Sequence, residues 1–182
     1  MKKILALAVL AGALSGCIIT VEGSTGPSSV ASASFIASYY DNGAPSQYLI
    51  CGNKDNYVRV NFNWSGSLAG YRVEFYGKNN PDVVVGFPST TGFFALPRAD
   101  VNESTKVGSE TILYAGSEIH PTNGTVRPQA VIVTPAPVTN PSTNPLGATR
   151  IRILAKGTDG SVTTFNLAGE LGILTNANSQ CQ

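Results

Sequence analysis

The most regular alternation of apolar and polar residues in the chain is Tyr57-Val58-Arg59-Val60-Asn61-Phe62-Asn63-Trp64. Successive side chains of an extended backbone point to opposite sides, so Val58, Val60, Phe62 and Trp64 share one face and Arg59, Asn61 and Asn63 the other. That period of two predicts a half-buried β-strand. Residues 65–70 turn the chain, and Tyr71-Arg72-Val73-Glu74-Phe75-Tyr76 alternates again, as does Thr149-Arg150-Ile151-Arg152-Ile153-Leu154-Ala155. β-prone runs at 35–40 and 47–51 stop at Asn42-Gly43 and at Gly52-Asn53-Lys54-Asp55-Asn56. Shorter apolar runs at 83–85, 111–114 and 130–133 read as further strands.

Breaker residues shape the rest. Residues 134–147 carry four prolines, which cannot donate to a central ladder and predict an exposed, semi-extended loop. Thr158-Asp159-Gly160-Ser161 predicts a hairpin turn, with 162–167 running back. In the tail, Leu167, Leu171 and Leu174 have helical spacing while Gly169 and Gly172 count against a stable helix, so its form stays open. Many short strands with turn signals between them predict an all-β fold, an antiparallel β-sandwich.

Val58-x-Val60-x-Phe62-x-Trp64, a short loop and Gly70-Tyr71-Arg72-Val73-Glu74-Phe75 resemble strands B and C of a fibronectin type III domain. Ile151-x-Ile153-x-Ala155, followed by Asp159-Gly160, resembles that family's strand F and F–G hairpin. Thr149 stands where the family usually has a tyrosine, and the stretch between strands C and F is longer than the family requires. The resemblance therefore implies an immunoglobulin-like or fibronectin-like sandwich with insertions. It also implies a binding or spacing module more than an enzyme.

The N-terminus has a different pattern. Met1-Lys2-Lys3 is a basic start, and residues 4–14 form an apolar run too short for a transmembrane span. Leu14-Ser15-Gly16-Cys17 then resembles the lipobox of bacterial lipoproteins. In that family the cysteine is lipidated and the peptide is cleaved before it. The resemblance implies a signal peptide at 1–16 and an anchor at Cys17, with the membrane as a partner through the lipid. Ile18, where an aspartate would favour the inner membrane, implies sorting to the outer membrane. Residues 18–34 read as a tether spanning about 20–25 Å as a flexible coil. The globular domain is expected at 35–182.

Charged residues make up 13% of the chain, against about 25% in an ordinary domain. Without Lys2 and Lys3, ten basic residues face eleven acidic ones, a net charge of −1. No Lys/Arg cluster along the sequence suggests a nucleic-acid footprint. With Cys17 lipidated, Cys51 and Cys181 remain. They either pair, closing nearly the whole domain, or stay as two thiols; an oxidising compartment favours the disulfide.

Candidate chemistry is sparse. His120, the single histidine, would have to serve any Ser-His-Asp triad, and no Gly-x-Ser-x-Gly elbow accompanies it; it reads as an exposed turn residue. Glu103, Glu110 and Glu118 offer carboxylates, with nothing marking a facing pair, so they read as solvated surface. Zinc lacks a patterned ligand set. Asn53-Lys54-Asp55-Asn56 and Asn79-Asn80-Pro81-Asp82 offer oxygens suited to calcium, but Asx-rich turns form without metal. No cofactor or metal is expected. Tyr39, Tyr40, Tyr57 and Tyr76 are candidates for an aromatic face toward a sugar, an apolar ligand or a protein, and are equally ordinary strand formers. These features together suggest a non-catalytic, lipid-anchored envelope protein that binds partner proteins, or else a small-ligand or glycan-binding lipoprotein.

Overall fold

The computed structural model describes residues 27–41, 47–51, 54–79, 81–82, 84–88, 92–114, 133–138, 143–174 and 181. Among them there is no α-helix. The strands are β1 (Ser29–Ala37), β2 (Tyr39–Asp41), β3 (Gln47–Cys51), β4 (Asn56–Ser65), β5 (Leu68–Gly77), β6 (Val84–Phe87) and β7 (Phe94–Ala95). They continue with β8 (Val101–Asn102), β9 (Val107–Tyr114), β10 (Ala136–Pro137), β11 (Thr143–Gly157), β12 (Val162–Asn166) and β13 (Leu171–Leu174).

Two sheets face each other as a β-sandwich. The smaller is antiparallel, in the order β1-β4-β9-β8. The larger runs β10-β2-β3-β13-β11-β5-β6, with β12 also paired to β11 and β7 to β5. The alternating strands bury the faces their patterns predict. Val58, Val60, Phe62 and Trp64 of β4 meet Tyr71, Val73 and Phe75 of β5 and Ile151, Ile153 and Ala155 of β11 in one core. β4 and β5 are consecutive yet lie in different sheets. Gly66, at φ 77°, turns the chain between them in a conformation that a side chain would strain. The Asp159-Gly160 turn joins β11 to β12 as expected, with Gly160 at φ 82° and Ser161 donating its backbone N–H to Asp159 Oδ1 at 3.0 Å.

Three expectations are corrected. β1 begins at Ser29, ahead of the expected domain start at Phe35, and so takes in residues expected to belong to the tether. Its register shifts between Val30 and Ser32, and that bulge turns both Val30 and Phe35 into the core; strict alternation would have put them on opposite faces. Second, residues 143–147 belong to β11 rather than to a loop. Pro145 falls inside the register shift between Thr143 and Ala148, where it is tolerated because no regular ladder bond is needed from it. Third, the sandwich is not antiparallel throughout, because β13 pairs parallel with β3 and β10 parallel with β2. The tail, left open by its sequence pattern, forms strand β13, whose four residues are all buried. The strand expected at 130–133 falls almost wholly outside the described residues.

The chain also changes sheets at Ser38, between β1 and β2. The Ser38 hydroxyl accepts the Tyr57 backbone N–H at 2.7 Å and lies 3.3 Å from the Tyr57 carbonyl. These contacts satisfy backbone groups at a point where the ladder is interrupted.

Candidate functional site

Cys17, Glu118 and His120 lie outside the described residues. Cys51 and Cys181 form a disulfide with their Cα atoms 5.5 Å apart. Both are fully buried and form a second, smaller core with Leu49, Val138 and Leu174, against which Tyr39 packs. Asn56, one of the calcium candidates, is committed to the backbone. Its Oδ1 accepts the Cys51 N–H at 2.8 Å, and its Nδ2 donates to the carbonyls of Cys51 at 2.8 Å and Lys54 at 2.6 Å. It thereby holds the β3–β4 connection beside the disulfide. Among the described residues, no group of three or more His, Cys, Asp and Glu side chains is placed to hold a metal ion.

The four candidate tyrosines do not share one surface. Tyr39 covers the second core, while the Tyr40 ring lies 5.1 Å from that of Tyr48. Tyr57 projects from β4 in the small sheet and Tyr76 from β5 in the large one. The two sheets turn their outer faces in opposite directions, so Tyr57 and Tyr76 belong to separate sites.

Around Tyr57 the small sheet presents a polar but almost uncharged surface. Ser34, Asn61 and Ser109 align across β1, β4 and β9, as do Ile36, Arg59 and Thr111, while Tyr57 stands beside Leu113. Ser109 Oγ donates to Asn61 Oδ1 at 2.8 Å and accepts from Arg59 Nε at 2.7 Å. Arg59 is the one charged side chain that the four strands of this sheet place outward.

Around Tyr76 the large sheet presents ion pairs. Glu74 accepts from Arg72 at 2.9 Å and from Arg152 at 2.7 Å. Glu170 accepts from Arg150 at 2.8 Å and from Lys78 at 3.0 Å, and the hydrogen bonds from these two cations, that of Arg150 first, hold its carboxyl below the usual glutamate range. The Arg152 guanidinium lies 5.2 Å from the centre of the Tyr76 ring. Beside this array opens a shallow hollow of about 500 Å³ lined by Tyr76, Arg150, Asn166, Leu167, Gly169 and Glu170.

No family model, curated protein or solved structure matches this chain.

Glu110 corrects the expectation of a solvated carboxylate. It is 1% exposed and faces the core from β9, on the same side as Ile112. Glu110 Oε2 accepts from the Tyr71 hydroxyl at 2.5 Å and from Arg98 Nη2 at 3.2 Å. Arg98 in turn lies 4.2 Å over the Phe94 ring. Burial pushes the Glu110 carboxyl above its ordinary pKa even though Tyr71 and Arg98 oppose the shift. Burial, followed by the neighbouring carboxylate, pushes the Tyr71 phenol far up as well. Alternation read from Ile112 back through Glu110 to Gly108 was the available signal for this inward placement. Nothing in the sequence signalled Arg98, which reaches the cluster from the connection between β7 and β8.

Proposed function

We propose that this is a non-catalytic, lipid-anchored cell-envelope protein, held at the outer membrane, whose β-sandwich domain binds partner proteins in an envelope or surface assembly. The observation that carries the reading is the outer surface of the small sheet. Protein interfaces are depleted in Lys, Glu and Asp at their centres and enriched in Tyr and Arg. That surface has Tyr57, Ile36, Leu113 and the single Arg59 among hydroxyl and amide side chains.

Further features support the parts of the proposal. Leu14-Ser15-Gly16-Cys17 supports the anchor, since it has the small residues of a lipobox before the cysteine. The Cys51–Cys181 disulfide supports an oxidising compartment. The burial of Glu110 inside the sandwich supports a structural role for that carboxylate. Strand order supports the immunoglobulin-like assignment. With β1, β4, β9 and β8 as strands A, B, E and D, and β5, β11 and β12 as C, F and G, the two sheets have the composition that fold requires.

Solubilisation of membranes in mild detergent, followed by co-purification with tagged protein, tests the proposal. A stoichiometric protein companion, lost on Tyr57→Ala or Arg59→Glu, is the expected result. A monomer with no companion contradicts it. The hollow beside Tyr76 favours a second reading, a lipoprotein that binds a small ligand or glycan.

A further inference from the structure

Basic residues are scattered along the sequence, but the topology gathers them. On the outer side of the large sheet, β5 presents Arg72, Glu74 and Tyr76, and β11 presents Arg150, Arg152 and Lys156. Lys78 follows β5, and Glu170 stands just before β13. Arg72, Lys78, Arg150, Arg152 and Lys156 are thus five of the ten basic residues that follow Lys3. They meet two carboxylates there, and each carboxylate is already shared by two cations. The strand face carries an excess of positive charge, while the rest of the chain after Lys3 has five basic residues against nine acidic ones. Asp82 and Asp159 stand in the turns at its ends, the latter bonded to Ser161 at 2.6 Å.

We infer that this face binds an anionic saccharide, a sugar bearing carboxylate or phosphate groups, seated in the hollow formed by Tyr76, Arg150, Asn166 and Glu170. The inference rests on the second reading above and names its ligand class. Arg150 lines the hollow and Lys78 shares Glu170 with it; these two exposed cations supply the attraction for the anion, and an arginine fork matches carboxylate and phosphate oxygens in geometry. Arg72, 11% exposed and donating to Glu74 and to the Pro88 and Gly92 carbonyls, is held within the sheet face. Glu170 orients the Arg150 fork, so little side-chain freedom is lost on binding. The Tyr76 ring offers an apolar platform with a polar tip, while the Asn166 amide and the Glu170 carboxylate offer partners for sugar hydroxyls. A bilayer surface calls for flexible, exposed basic chains. Here three of the five cations are arginines, all held in ion pairs.

Calorimetry on the full chain in detergent, with four probes, tests the inference. The probes are oligogalacturonate, a phosphorylated mannose oligosaccharide, neutral dextran and phosphatidylglycerol vesicles. At least one charged saccharide should bind about tenfold or more tightly than dextran, with affinity falling as salt rises. Which of the two binds identifies the anion. Arg150→Ala should weaken binding about tenfold through one lost charge-assisted contact, and Tyr76→Ala about as much through loss of the ring platform. Lys78, whose side chain is 46% exposed, provides a variant that leaves the fold intact, and Lys78→Glu should weaken binding at an unchanged melting temperature. Equal affinity for dextran and the charged sugars overturns the inference and leaves a neutral-glycan site. No saccharide binding overturns both the inference and the glycan reading on which it rests. Binding to the vesicles alone overturns it in favour of a membrane-facing surface.

Discussion

Tyr71 and Glu110 reach toward each other across the sandwich, one from each sheet, and the phenol oxygen lies 2.5 Å from the carboxylate oxygen. A hydrogen bond to a buried carboxylate contributes about 1.5–3 kcal/mol, more than a neutral pair, because the unpaired charge would otherwise stay desolvated. Tyr71→Phe is predicted to lower the unfolding free energy by about 2 kcal/mol, measured by urea denaturation. Glu110→Gln removes the charge but keeps an acceptor for the phenol. In the Glu110→Gln background, Tyr71→Phe should cost about 1 kcal/mol or less. Equal costs in the two backgrounds would show that the bond carries no charge assistance.

The same carboxylate sets a pH dependence. Its folded pKa is raised above the unfolded value of 4.5, so the native state binds the proton more tightly than the unfolded chain does. The resulting stability is fully present below 4.5 and is lost as pH rises through the raised folded value. Unfolding free energies measured from pH 4 upward should therefore fall more for the parent protein than for Glu110→Gln. Parallel curves would contradict this.

Which features were legible in the sequence follows from how local each cause is. β4, β5 and the second half of β11 were legible because apolar and polar side chains alternate without interruption. The hairpin at Asp159-Gly160 was legible because two residues determine it. The first half of β1 was not: Ala31, Ser32, Ala33 and Ser34 carry no hydrophobic signal, and the bulge shifts the parity of Val30. The tail was ambiguous because Leu171 to Leu174 is buried on all sides between β3 and β11, which erases alternation. The sites were hidden for a further reason. Arg72 and Arg152 share Glu74 across 2 and 78 positions of sequence respectively, and only the pairing of β5 with β11 brings them together. Tyr57 and Tyr76 alternate outward within their own strands, but only the sheet assignment shows that they face opposite ways.

Gly108 tests the close approach of β9 to the core. A Cβ at this position would lie 2.4 Å from Phe62 Cζ and within 3 Å of two further ring carbons. The ring is buried against Trp64 and Tyr71, so it has little room to move. Gly108→Ala should destabilise by about 1–3 kcal/mol through overpacking, read from the shift in urea midpoint. A neutral substitution would mean that the aromatic cluster repacks freely.

The disulfide closes a loop of 130 residues. Loop entropy alone gives about 5 kcal/mol for a closure of this length, with the actual figure dependent on residual structure in the unfolded chain. Cys51→Ala with Cys181→Ala should lower the melting temperature sharply and expose the β3–β13 end of the second core to proteolysis first, because that core is small. An unchanged melting temperature would show that Leu49, Val138 and Leu174 hold that core unaided.

The account as a whole depends on a sandwich domain tethered to the membrane through Cys17. Intact mass measurement of the protein extracted from membranes tests this most directly. The account predicts a chain running from Cys17 to Gln182, heavier by its acyl groups, and lighter by two hydrogens than the same chain with Cys51 and Cys181 reduced. A full-length chain still carrying Met1, or a processed chain with an unmodified Cys17, would contradict it.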